Sequence, residues 1–135
     1  MRKVLAASII LVTSLTNAET TPNWVKVSTD EYGETFVDSN HLKRLPENKK
    51  IVEYGYKYIY KYGVPSLNIQ PKGYIQAIHQ INCAEKTKGT VLSQRFTPQG
   101  KSLDKPVPYD KVYFEPIYDR FEDLTKIYKF VCKTK

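Results

Sequence analysis

Thirteen consecutive residues constrain this chain more than any other stretch: Lys50-Ile51-Val52-Glu53-Tyr54-Gly55-Tyr56-Lys57-Tyr58-Ile59-Tyr60-Lys61-Tyr62. On an extended backbone successive side chains point to opposite faces, so Val52, Tyr54, Tyr56, Tyr58, Tyr60 and Tyr62 share one side. Ile51, Glu53, Gly55, Lys57, Ile59 and Lys61 share the other. A helix would scatter the tyrosines around its circumference, so the segment reads as a strand and the domain as one built on a sheet. Glu53, Lys57 and Lys61 strongly prefer water, which turns the tyrosine face inward from Val52 to Tyr58 and lets Tyr60 and Tyr62 emerge near the Pro65 loop. Thirteen residues are long for one strand, and Gly55 marks an expected bulge or bend.

The flanking segments repeat the two-residue period. Asn23 to Ser28 alternates around Trp24, the turn chemistry of Asp30-Glu31-Tyr32-Gly33 follows, and Glu34 to Asp38 completes a hairpin. Ser39 to Asn48 is polar, with Leu42 and Leu45 as anchors and Pro46 against a long helix, and reads as a loop with one helical turn at most. Asp38-Ser39-Asn40-His41 within it reads as a turn in which Asp38 or Ser39 accepts backbone amides. Gly63 to Lys72 is a Pro-containing connection. From Gly73 to Cys83 the odd positions Ile75, Ala77, His79, Ile81 and Cys83 form the core-facing set. Lys88 to Thr97 supplies a further strand, Pro98-Gln99-Gly100 turns it, Ser102 to Pro108 is extended, and Val112-Tyr113-Phe114 is a short last strand. Beyond it the period changes. Ile117, Phe121, Leu124, Tyr128 and Val131 recur at helical spacing, with acidic residues early and lysines late, as the helix dipole favours. Ile127 to Cys132 also fits an alternating strand.

The N-terminus carries a second kind of information. Residues 1–18 have a basic start, an apolar run from Val4 to Leu15 and the small-residue end Thr16-Asn17-Ala18, the three regions of a secretory signal peptide with cleavage after Ala18. The run is shorter than the ~20 apolar residues that span a bilayer, no second candidate follows, and no cysteine near the cleavage point could take a lipid anchor. The expected product is therefore not a lipoprotein and has no integral membrane segment. Taking 18 from 135 leaves residues 19–135, the length of a single domain. Losing Arg2 and Lys3 leaves 19 basic against 14 acidic residues, about +5, with the lysines spread along the chain. That balance is compatible with anionic partners and equally with a solvated surface.

Cys83 and Cys132 are the only two cysteines. In an exported chain they permit one pairing, closing a loop of 49 residues; free thiols belong to a reducing compartment.

The order of landmarks resembles the surface-adhesin protein E family of exported Gram-negative proteins. The matching positions are Trp24-Val25-Lys26-Val27, Thr35-Phe36-Val37-Asp38, Ile81-Asn82-Cys83, Gly100 in the following turn, and Phe130-Val131-Cys132, spread over essentially the whole mature chain. The resemblance implies an α+β fold, an antiparallel β-sheet of about six strands with a C-terminal α-helix tied to it by the Cys83–Cys132 disulfide. It also implies adhesion to host extracellular-matrix proteins.

Catalytic and metal chemistry finds little support. His41 and His79 are the only histidines and have no carboxylate at metal-ligand spacing, so neither a metal nor a cofactor is expected. His79 on the apolar strand face reads as a core histidine. No Gly-x-Ser-x-Gly elbow or Gly-rich phosphate loop occurs, so the chain is expected not to be an enzyme. The expected function is a binding protein of the periplasm or outer cell surface, recognising a host matrix protein or an anionic glycan and not nucleic acid. Tyr58, Tyr60, Lys61 and Tyr62 are its candidate ligand residues, and Trp24, Asp38 and Gly100 its family landmarks. An inhibitor of a host enzyme such as lysozyme, or a structural envelope factor, is the alternative. Oligomeric state is open.

Overall fold

A computed structural model describes residues 21–133. The expected signal peptide, residues 1–18, and its expected cleavage point lie outside the described residues. Six strands follow one another across an antiparallel meander: β1 (Trp24–Thr29), β2 (Gly33–Arg44), β3 (Ile51–Tyr60), β4 (Tyr74–Asn82), β5 (Thr87–Phe96) and the two-residue β6 (Val107–Pro108). A further short strand, β7 (Glu115–Pro116), pairs with the start of β5, while β6 pairs with its middle. The chain ends in α1 (Glu122–Cys132), which packs across β1, β2 and β3.

The period-two reading of β3 holds. Val52 and Tyr54 are fully buried on the helix side, opposite Ile81 and His79 of β4, and Val37 of β2 joins them. Ile127 and Val131 of α1 close this core, with Ile117 entering from the segment before the helix. Tyr58 turns its hydroxyl to Asp30 Oδ1 at 2.8 Å, which also accepts the amides of Tyr32 and Gly33 and so sets the β1–β2 turn. The Ser28 hydroxyl donates to Asp123 in the first turn of α1. At the other end the Cys83–Cys132 bridge joins the residue after β4 to the last residue of the helix, with Cα atoms 5.8 Å apart. The Tyr128 hydroxyl donates to the Cys83 carbonyl at 2.9 Å, so the helix is fastened at both ends.

Four expectations are corrected. The polar segment after Asp38 is not a loop: β2 continues to Arg44, and the irregularity lies between Asp38 and Leu42, where Ser39 to His41 bulge out opposite the Tyr54–Gly55 step. Gly55 thus sits beside the bulge, which belongs to the neighbouring strand; a Cβ there would lie 2.9 Å from the Asp38 Cβ. Asp38 makes the detour possible by accepting the amides of Asn23 at 2.8 Å and Asn40 at 2.9 Å on Oδ1. Val112-Tyr113-Phe114 is not a strand; the pairing falls on Glu115 and Pro116, where Ile117 N–H reaches the Lys86 carbonyl at 3.0 Å. Finally, the helix begins at Glu122, so Ile117 precedes it and Phe121 stays exposed, while Ile127, absent from the expected stripe, is among its most buried residues.

Replacing Asp38 with alanine leaves two backbone amides at the bulge without their acceptor. The expected loss is about 1–3 kcal/mol, read as a lowered urea midpoint with unchanged slope.

Candidate functional site

The helix covers one face of the sheet and leaves the other open, and cross-strand register decides what that outer face carries. Three rows of directly opposed residues run across it. One is Trp24, Asp38, Gly55, Ile78 and Leu92; the next is Phe36, Lys57, Gln76 and Gln94; the third is Ile59, Tyr74 and Phe96. Trp24, Phe36, Tyr74 and Phe96 are all half-buried, and Tyr74 stacks on Phe96 with centroids 5.0 Å apart and planes 12° from parallel.

Lys57 stands among three of these rings. Its Nζ lies 4.6 Å from the Trp24 ring centroid, 5.1 Å from Tyr74 and 5.9 Å from Phe36. Among the described residues no carboxylate comes within ion-pair distance of it. Burial pushes its ammonium below the ordinary lysine value, and the ring faces supply part of the lost solvation, about 0.5–2 kcal/mol for a contact of this type. Its stem covers apolar surface that strand alternation alone would leave to water.

Where Gly55 has no side chain, the face dips into a recess of about 210 Å³ bordered by Trp24, Ile78 and Leu92. That is below the ~300 Å³ of ordinary small-molecule pockets, a size suited to one inserted side chain. Further along, the outer face becomes polar. His41 from the bulge meets Glu53 at 3.0 Å, Gln80 donates to the same carboxylate at 3.0 Å, and Lys43 lies 3.7 Å away. Burial alone would raise the Glu53 carboxyl, but these partners hold it below its ordinary value.

The four ligand residues expected from sequence lie elsewhere. Tyr58 and Tyr60 are half-buried on the helix-side face with ring centroids 4.7 Å apart, and burial raises both phenols. Lys61 and Tyr62 reach solvent past the end of β3, where Lys61 borders a recess of about 250 Å³ with Lys72, Asp30 and Glu34. Of the landmarks, Trp24 joins the outer face, Asp38 organises the bulge, and Gly100 adopts φ of +89° in the turn after β5, a conformation that favours glycine. His79 is buried with its ring stacked 4.5 Å from that of Tyr56, so it is a core residue. Among the described residues no three His, Cys, Asp or Glu side chains gather as metal ligands, and no helix is long and apolar enough to cross a membrane. The sequence reading missed Phe36, Lys57, Tyr74 and Phe96; the available signal was that each faces away from the tyrosines of β3.

Solved structures share this fold. A crystal form of Haemophilus influenzae protein E superposes with a TM-score of 0.58, covering 85% of this chain and 91% of that one at 13% identity. The fold is that of protein E. A second structure of Haemophilus influenzae protein E covers 85% of this chain and 87% of its own at 13% identity, with a TM-score of 0.55. No protein-family model and no curated protein matches the chain. The protein E-like fold thus bears out the sheet, the C-terminal helix and the bridge expected from the landmarks.

Proposed function

We propose that the mature chain is a non-catalytic, exported binding protein of the cell envelope that engages a host extracellular-matrix protein through the outer sheet face. The observation that carries this reading is the set of Trp24, Phe36 and Tyr74 around Lys57, with Phe96 stacked on Tyr74, on a face that α1 leaves open. Aromatic side chains with a central cation are the residue types that dominate protein recognition, because they bring large contact area at little rotamer cost. The Gly55 recess gives such a partner a place to insert a side chain. The basic balance of the mature chain aids encounter with acidic segments of a matrix protein. Likeness to protein E and the order of family landmarks agree with an envelope location.

The test is binding of the purified chain to a panel of immobilised matrix proteins. Trp24→Ala combined with Tyr74→Ala is expected to weaken binding at least about tenfold, measured at a temperature where circular dichroism shows the variant folded despite the stability lost with the two rings. Loss confined to Lys61→Ala with Tyr62→Ala would move the contact to the end of β3. Absence of binding across the panel, or protection of the chain when intact cells are shaved with protease, would remove the adhesin reading.

A further inference from the structure

On the helix side of the sheet a larger cavity, about 560 Å³, opens between the start of β5, the segment from Glu115 to Phe121, and the first turn of α1. Its volume lies within the roughly 300–1,000 Å³ of small-molecule sites. Ile117, 5% exposed, and the half-buried Leu124 give it an apolar lining. Its wall is held in place: Glu115 and Pro116 pair with Lys88 and Thr87, and Lys86 Nζ binds Asp119 Oδ1 at 2.5 Å. The cavity therefore exists before any ligand arrives.

Two cations face it with their donors uncommitted. The Arg120 guanidinium lies 4.8 Å from the Tyr118 ring and 5.0 Å from the Phe121 ring, with those rings 6.1 Å apart. The two ring contacts hold the exposed guanidinium at the mouth of the cavity, and a guanidinium can meet an oxyanion with paired N–H donors. Lys88 is half-buried on β5, opposite the fully buried Ile81. Burial holds it below the ordinary lysine value, and the charge of Glu115 only partly offsets this. Neither cation forms an ion pair with a described residue. A half-buried ammonium that faces Glu115 across the ladder without forming an ion pair to it, beside the exposed guanidinium of Arg120, is an arrangement that an anion completes.

We propose that this cavity binds a small organic monoanion, a carboxylate or a sulfonate, with its charged group on Arg120 and Lys88 and its apolar or ring body against Ile117 and Leu124. Glu115 at the rim sets the charge limit, since a second negative charge on the ligand would face its carboxylate. The site is separate from the outer sheet face and does not depend on the matrix-binding reading.

Titration of the purified chain, followed by NMR, with benzoate, benzenesulfonate, phenyl phosphate and neutral benzamide tests it. The two monoanions are expected to bind, benzamide about tenfold or more weakly, and phenyl phosphate less well than benzenesulfonate. Arg120→Gln and Lys88→Met should each lower monoanion affinity about tenfold, while Glu115→Gln should raise affinity for phenyl phosphate. The Trp24→Ala, Tyr74→Ala variant should bind the probes unchanged. Equal binding of benzoate and benzamide, indifference to both cation substitutions, or no perturbation by any probe would overturn the proposal.

Discussion

Replacing Cys83 and Cys132 together with alanine is expected to lower the unfolding free energy by about 4 kcal/mol, the chain-entropy value for the 49-residue loop the bridge closes. For a domain of this size that is a large share of a total of roughly 5–15 kcal/mol. The location directs the loss at the helix first. An 11-residue helix is marginal by itself, and the N-cap position of α1 is held by Phe121, which offers no side-chain cap. What keeps the helix on the sheet is burial of Ile127 and Val131, the Ser28–Asp123 and Tyr128–Cys83 hydrogen bonds, and the covalent tie at its last residue. Urea unfolding of the double variant should show a much lower midpoint, and helical circular dichroism should fade before the sheet signal does. A loss below about 1 kcal/mol would mean that the packed face of α1 suffices without the bridge.

Acid should destabilise the protein through His79 well before its carboxylates titrate. Burial between Tyr54 and Tyr56, and secondarily the charge of Lys88, hold the imidazole well below its ordinary value near 6.5. Between the folded and unfolded values the unfolded chain carries one more proton. Stability is therefore full above about pH 6.5 and falls as the pH is lowered toward the folded value, at about 1.4 kcal/mol per pH unit. His79→Phe keeps a ring in the stack but takes no proton. It should be less stable than the parent at pH 7.5, because the Tyr54 hydroxyl loses Nδ1 at 3.4 Å, yet nearly flat between pH 6.5 and 5, so the two stability curves converge. Parallel curves for the parent and His79→Phe would show that protonation of His79 does not limit stability in that window.

Much of this fold could be read from residue order because its strands keep period two where it matters. Val52, Tyr54 and Tyr56 face Ile81, His79 and Ala77 because both strands alternate without interruption across their shared ladder. Reading failed where a local hydrogen bond overrode composition. Ser39 to His41 are as polar as a loop, and only the Asp38 carboxylate, gathering amides from Asn23 and Asn40, lets β2 pass through them and resume at Leu42. The helix stripe was right in period and displaced in extent, because Ile117 reaches the core from outside α1 and so mimics a first helical turn. Its true buried residues, Ile127 and Val131, are four apart as the helix requires.

The outer face was the least legible part. Charged residues on the odd positions of β3 marked that side as wet, yet Glu53 and Lys57 are both half-buried, Glu53 compensated by His41, Gln80 and Lys43 and Lys57 by aromatic rings. Nothing local distinguishes the two. The difference is made by neighbours distant in sequence, Trp24 from β1, Phe36 from β2 and Tyr74 from β4, which register alone brings around one ammonium.

Trp24 is the only tryptophan in the chain, so 5-fluorotryptophan labelling places a single fluorine resonance on that face. If the outer face is the binding surface, a matrix protein retained by the immobilised chain should shift or broaden this resonance in proportion to the fraction bound, and Tyr74→Ala should suppress the change. An unmoved resonance at saturating partner would contradict it.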